Sequence, residues 1–124
     1  GREGHTAQDM VFIFHGRVEV VSMVYGRRLM VLPEGSFFGE IPLLLTNKYV
    51  CTYRALTYCE LFAVHRQAFE EALVQHPEVE AELRAIAVAR LRQIKLAQLR
   101  LARRTGRQGT SVLMRRAALA AVRG

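Results

Sequence analysis

The chain has 124 residues, 51% of them apolar, which is enough for the core of one domain, and a formal net charge of +7. No apolar run approaches the roughly 18 residues that a membrane span needs, and the first residues do not follow the order of a signal peptide, so we expect a soluble segment. Cys51 and Cys59 have no Cys-x-x-Cys spacing, which argues against a zinc site and favours buried, reduced thiols, as in a cytosolic protein.

The first half of the chain has the composition of β structure. Residues 10–21, MVFIFHGRVEVV, are rich in β-branched and aromatic residues around a central glycine, which predicts two strands joined by a bend. A hairpin turn around Gly26 and a returning strand, RLMVL, follow, and residues 33–36 predict the next turn. Residues 50–65 favour one or two further strands with both faces partly covered.

Helical patterns begin in the second half. RQAFEEALVQH, residues 66–76, predicts a helix that ends at Pro77. Phe69, Leu73 and Val74 are expected on its packed side. Antiparallel β elements followed by helices define an α+β arrangement.

A longer helix is predicted from Glu78 to Arg104. Two glycines between positions 105 and 110 are expected to end it, and residues 111–122, SVLMRRAALAAV, predict one more basic amphipathic helix. The stripe that would face the β part has spacings of three and four residues and comprises Leu83, Ile86, Ala87, Arg90, Ile94, Ala97 and Leu101.

The charge is unevenly distributed along the chain. Residues 1–64 carry six basic and six acidic side chains, whereas residues 65–124 carry twelve basic and five acidic ones. No acid follows Glu82, but eleven arginines or lysines do. An anionic partner would therefore meet the C-terminal part.

The segment GSFFGEIPLLL, residues 35–45, has the features of an anion-binding turn. Its two glycines, Gly35 and Gly39, permit a close approach of the backbone to a ligand. Glu40 begins a short helical turn with Pro42 in its first positions, and free N–H groups at such a terminus bind anions. Two interpretations of Glu40 stay open: it caps its own helix start, or it accepts hydrogen bonds from a ligand hydroxyl beside a phosphate, as a sugar phosphate would present.

Four segments, REGHTAQDMVFIFHGRVEVV, GSFFGEIPLLL, YRALTYCELFAVHR and HPEVEAEL, resemble the cyclic-nucleotide-binding domain of voltage-gated cation channels. The channels concerned are the hyperpolarization-activated, cyclic-nucleotide-gated and ether-à-go-go types, and the resemblance covers residues 1 to about 100. It implies an antiparallel, jelly-roll-like β-roll followed by helices, the last of which closes over bound cAMP or cGMP. A complete domain of this family has a helix and about two strands before REGH, so we expect an N-terminally incomplete fragment of a larger protein.

The resemblance also assigns residues to the nucleotide. Gly39 and Glu40 match the backbone and carboxylate that hold the ribose, and Ile41 matches the adjoining residue. Arg90 and Ile94 fall at positions of the last helix that reach and cap the purine. From the residues alone, Arg90 is better explained as an arginine that snorkels at the edge of an apolar stripe.

Three positions depart from the family pattern. Tyr49 stands where an arginine should pair with the cyclic phosphate, and Val50 replaces the hydroxyl-bearing residue that often follows it. Pro42 lacks the N–H that normally donates to the phosphate at its position. We therefore expect weak or lost nucleotide binding, with Tyr49 filling the vacated space.

The sequence-based hypothesis is the cytoplasmic regulatory domain of a tetrameric, potassium-conducting voltage-gated channel. Its predicted domain spans 1–104, as a β-roll over 1–64 and helices over 65–104, and 105–124 form a basic tail. The partners are the channel's transmembrane region, sister subunits and, through the basic C-terminal helix, anionic lipid.

Other classes of function fit the residues less well. No nucleophile motif, metal-ligand spacing or paired carboxylates point to an enzyme, a cofactor or a bound metal. The alternative is the sensor domain of a DNA-binding transcription regulator, because the uncompensated basic residues would suit nucleic acid. That module needs more sequence than follows Arg104, so nucleic acid is the less favoured partner. A purely structural module without a diffusible ligand differs from the main hypothesis chiefly in ligand occupancy.

Overall fold

The computed structural model describes residues 1–107 together with residues 120 and 121. Within them, strands come first and helices last, which confirms the predicted α+β order. The elements are β1 (Asp9–His15), β2 (Val18–Ser22), β3 (Arg27–Leu32), β4 (Phe37–Phe38), a π-helical turn (Pro42–Thr46), β5 (Thr52–Ala55), β6 (Glu60–His65), α1 (Arg66–Gln75) and α2 (Pro77–Arg107).

The strands form two three-stranded antiparallel sheets. One has the order β4-β1-β6, and the other has the order β3-β2-β5. The bend predicted within residues 10–21 separates β1 from β2, so that the two strands lie in different sheets. The chain passes back and forth between the two sheets, and this alternation builds the roll.

A core of apolar side chains fills the roll and is closed by α2. Ala87 and Ile94 of α2 are fully or almost fully buried in the same cluster as the inward-facing residues of the strands. The strand residues of this cluster include Ile13, Val18, Val20, Leu32, Phe38 and Tyr53. The helical spacing of seven between Ala87 and Ile94 puts both on one face, which is why α2 lies along the roll.

A smaller cluster holds α1 against β1. Phe69 and Leu73 are buried against Met10, as the sequence predicts for the first two. The prediction for Val74 is wrong, because its side chain is 82% exposed. One residue beyond Leu73, it is rotated by about 100° around the helix axis and so leaves the packed face.

Helix α2 continues past the predicted end. It runs through Thr105 and Gly106 to Arg107, so the prediction that this segment breaks the helix is wrong for those residues. A single glycine costs a helix only about 1 kcal/mol relative to alanine, which is too little to stop it. Of the helix predicted over 111–122, the structure describes only Ala120 and Ala121, which are helical, and the rest lies outside the described residues.

Strand β6 differs from the expectation that residues 50–65 are partly covered on both faces. Leu61 and Phe62 are largely exposed, and only Val64, which packs on the cluster beneath α1, is half-buried. The physical reason is position, since β6 is one of the two edge strands of its sheet and α1 packs on it only around Val64. None of the described helices is long and apolar enough to cross a membrane.

Candidate functional site

The site begins where β4 ends and the chain turns inward. Gly39 has φ +103°, and a Cβ at this position would lie 2.5 Å from the carbonyl oxygen of Asp9. Only glycine fits both this conformation and this approach to β1. The turn carries the next residue, Glu40, into the interior, where it is 1% exposed.

The predicted short helical turn is present, and it is π-helical. Glu40 and Ile41 open it, and Pro42–Thr46 complete it. The N–H of Leu43 already donates to the carbonyl of Gly39 at 3.1 Å, and Pro42 has no N–H to offer. The backbone donors at these two positions are thus not available to an anion.

Arg90 of α2 reaches the same turn from above. Its Nη1 donates to the carbonyl oxygen of Phe37 at 2.8 Å and to Oε1 of Glu40 at 3.0 Å. Its Nη2 donates to Oγ of Ser36 at 3.1 Å, and the guanidinium lies 4.4 Å from the centre of the Phe37 ring. The arginine therefore ties the last helix to the Gly39 turn by a charged pair, two further hydrogen bonds and a cation–π contact.

Glu40 of the turn and Arg90 of α2 meet at one hollow, whose wall both of them line. The hollow, however, is nearly filled, because its volume of about 10 Å³ is no more than one water molecule needs. Glu40 Oε2 is buried without a hydrogen-bond partner among the described residues. The walls of this cavity are Val20, Met30, Leu32, Phe38, Glu40, Tyr53, Arg90 and Ile94.

Of the two roles considered for Glu40, the structure does not show the capping of its own helix start. No side-chain hydrogen bond caps the turn, which begins next to Glu40. The carboxylate instead pairs with Arg90, 50 residues further along the chain. Its side chain is 1% exposed and that of Arg90 is 22% exposed, so the pair is largely shielded from water. The contact of Glu40 and Arg90 with a nucleotide stays a prediction.

Tyr49, which the resemblance places where an arginine is expected, belongs to the core. Its side chain is buried, and its ring lies 5.7 Å from that of Tyr53. It does not line the small cavity beside Glu40, but borders a wider, open cleft of about 380 Å³ together with Gly1 and Asp9. Burial raises the pKa of Tyr49, and the carboxylates of Asp9 and Glu40 raise it further. The phenol is therefore neutral at physiological pH and supplies no countercharge for a phosphate.

Of the other predicted positions, only Ile94 lines the cavity beside Glu40. Ile41 is completely buried in the core, Pro42 is buried, and Val50 is half-buried. The structure thus brings Glu40, Arg90 and Ile94 together and leaves Tyr49 and Val50 outside the cavity wall.

Sequence reasoning missed two partners of Arg90, the hydroxyl of Ser36 and the ring and carbonyl of Phe37. A carbonyl leaves no mark in a sequence, because every residue has one. The aromatic residues at 37 and 38 were a usable signal, since arginine often stacks on aromatic rings. Within the described residues, no group of three or more His, Cys, Asp or Glu side chains is arranged to hold a metal ion.

The architecture is a roll of two antiparallel sheets with an inward-turned glutamate and a helix that closes over it. The sequence profile of the cyclic nucleotide-binding domain family matches residues 2–76, more than half of the chain. The chain belongs to this family.

Individual relatives agree with this assignment. The chain is 38% identical over 93 residues to the potassium/sodium hyperpolarization-activated cyclic nucleotide-gated channel 2 of Mus musculus, covering 75% of this chain and 10% of the channel. It is 37% identical over 93 residues to channel 4 of the same kind from Oryctolagus cuniculus, covering 75% of this chain and 8% of the channel. The chain thus spans about a tenth of the length of these curated relatives.

Two solved structures share the fold. The catabolite activator protein of Thermus thermophilus superposes with a TM-score of 0.66 at 24% identity, over 98% of this chain and 72% of that one. The cAMP-bound PfPKA-R superposes with a TM-score of 0.61 at 17% identity, over 92% of this chain and 35% of that one. At these identities the likeness supports the β-roll and its helices alone.

Proposed function

We propose that this chain is the cytoplasmic regulatory domain of a voltage-gated, potassium-conducting cation channel, and that the position of α2 over the roll is passed to the pore. The identity to hyperpolarization-activated channels over 93 residues supports this proposal, because it spans both the turn and the start of α2. Sister subunits of a tetramer and the transmembrane region are the partners that this role requires.

The ion pair between Glu40 and Arg90 is the observation that carries the mechanism. In the family pattern these two positions contact the ribose and the purine of one nucleotide. Here the two side chains form an ion pair with each other at 3.0 Å. A nucleotide would have to displace this contact before binding. A ligand shifts a conformational equilibrium only by its differential affinity for the two states. The ion pair between Glu40 and Arg90 forms without any ligand, so it biases α2 toward the closed position by itself.

The phosphate side of the site supports the same proposal. Tyr49 is neutral and buried, and Pro42 offers no N–H. A charge-assisted hydrogen bond contributes roughly 1.5–3 kcal/mol, so the missing arginine alone weakens binding by about ten- to more than a hundredfold. Nucleotide binding by this domain is accordingly weak or absent, and the built-in contact of Arg90 takes over the stabilisation of α2.

Titration of the chain with fluorescent cAMP and cGMP tests the proposal. The wild-type chain is expected to show weak or no saturation, and Tyr49→Arg is expected to bind about tenfold or more tightly than wild type. Tyr49→Phe is the matched control, because it keeps the ring beside Tyr53 and adds no charge. Tight binding by the wild-type chain would contradict the proposal. No gain in a folded Tyr49→Arg variant would show that the arginine is not what the cassette lacks.

A further inference from the structure

Helix α2 has a second face that the roll does not cover. Its inner face is buried through Ala87, Ile94 and Gln98. On the outer side, Val88 and Leu96 are each 46% exposed, although both are large and apolar. Because these residues are eight apart, they are about 80° from each other around the helix axis, within one broad face, and about 12 Å from each other along it.

Cations share this outer side with the two apolar residues. Arg92, Arg100 and Arg103 are exposed; Arg92 and Arg100 each follow an apolar residue of this side by four positions, and Arg103 follows Arg100 by three. We name these five residues the outer stripe; it extends about 22 Å along the helix. Lys95 and Leu99 flank it and are half-buried.

The cations of the outer stripe have no countercharge in the part of the chain that the structure describes. Arg84 pairs with Glu80, and Arg90 pairs with Glu40, but Arg92, Arg100 and Arg103 make no ion pair with any described residue. The helix itself offers none, because no acid follows Glu82. A basic face with apolar residues between its charges has the composition of a helix that lies on an anionic surface.

Charge and area decide between possible occupants. A parallel second copy of α2 would set cations against cations, and residues 111–122 carry two arginines and no acid, so neither is attracted. A stripe of about 22 Å by roughly 10 Å gives a few hundred Å², well below the ~800 Å² per partner of a stable protein interface. A lipid surface needs no such area, because each basic residue near it adds to binding.

We propose that the outer stripe docks on an anionic lipid surface, with the three arginines on lipid phosphates and with Val88 and Leu96 in the headgroup layer. This interaction is independent of the nucleotide site, because the outer stripe and Arg90 are on different sides of α2. It therefore stands or falls separately from the proposed function.

Flotation with vesicles tests the docking. The full chain is expected to bind vesicles of phosphatidylcholine that contain about 30% phosphatidylserine, a composition with a strong surface potential. It is expected not to bind vesicles of pure phosphatidylcholine. The triple variant Arg92→Gln, Arg100→Gln, Arg103→Gln should lose about fivefold per cation, roughly a hundredfold in total. Leu96→Gln, which keeps every charge, should lose about tenfold by removing the apolar contact.

A charge-matched triple variant is the control. Arg17→Gln, Arg27→Gln, Lys48→Gln removes three exposed cations from other parts of the surface, so its net charge equals that of the stripe variant. Its binding should change by less than about threefold, since distant charges act through screened, long-range attraction alone. Equal losses in the two triple variants would overturn the outer stripe as the docking site.

Competition identifies the partner. Addition of inorganic phosphate at constant ionic strength should leave vesicle binding unchanged, because a free anion does not supply the apolar layer. Preferential binding to an acidic peptide or to duplex DNA over the vesicles would overturn the proposal. A dimer that dissociates in the stripe variant, seen by sedimentation velocity, would also overturn it.

Discussion

Removing the guanidinium of Arg90 should be far more damaging than removing an exposed arginine from the same helix. Arg90→Gln leaves the carboxylate of Glu40, which is 1% exposed, buried without its partner. Breaking a buried pair from one side costs about 3–5 kcal/mol when both groups are fully buried. Because the Arg90 side chain is 22% exposed, water can reach the vacated space, and we expect a loss of about 2–3 kcal/mol in the free energy of unfolding.

The reverse substitution should cost less. Glu40→Gln removes the charge from the buried side, while Arg90 keeps its hydrogen bonds to Phe37 and Ser36 and its contact with water. We expect a loss of about 1 kcal/mol, and a double variant no worse than Arg90→Gln, because no buried charge is then left alone. The two single losses should therefore not add.

Urea denaturation of the wild type, both single variants and the double variant gives the coupling energy directly. Arg92→Gln is the matched control, since it changes an exposed arginine two positions away and should stay within about 0.5 kcal/mol of wild type. If Arg90→Gln also stays within about 0.5 kcal/mol, or if the losses of the two single variants simply add, the ion pair does not hold α2 to the turn.

Two further predictions concern the turn and the core. Gly39→Ala should destabilise the domain by about 2 kcal/mol or more in thermal or urea unfolding, because the new Cβ would meet the Asp9 carbonyl oxygen at 2.5 Å. The control Gly35→Ala, with φ +85° and open space around it, should cost about 1 kcal/mol through backbone strain alone. Equal losses in the two variants would contradict the close approach at Gly39. Burial raises the pKa of Cys51 from 9.0 to about 12, so the unfolded chain releases this proton first, and the free energy of unfolding should fall as pH rises from 9 toward 12. The contribution is about 1.4 kcal/mol per pH unit, and Cys51→Ala should flatten the decline by that amount; an unchanged slope would show that this thiol is not responsible.

The β part was predictable because its strands combine β-branched residues with clear turn signals. The bend between β1 and β2, the hairpin around Gly26 and the following strand all lie where the pattern indicates. The same pattern did not reveal which strand would lie at a sheet edge, so the exposure of β6 was not anticipated. Edge position depends on pairing between distant segments, which local composition does not record.

The candidate site was predictable in its location but not in its contacts. The family resemblance assigned Glu40 and Arg90 to the ribose and the purine of one nucleotide, whereas helical spacing alone favoured an arginine at the edge of the stripe. Neither indicated that the two side chains pair with each other, because a charge in a sequence does not specify its partner 50 residues away. The closure of the hollow follows from packing, which only the three-dimensional arrangement shows.

The most direct test of the account is the distance between α2 and the roll in solution without ligand. Spin labels introduced at the exposed positions Lys48 and Gln93 by chemistry that does not use cysteine would report it by double electron–electron resonance. We predict one narrow distance distribution that saturating cAMP leaves unchanged, and a broadened one in Arg90→Gln. A broad or two-peaked distribution in the wild-type chain that cAMP narrows would contradict the claim that Arg90 and Glu40 hold the helix in place.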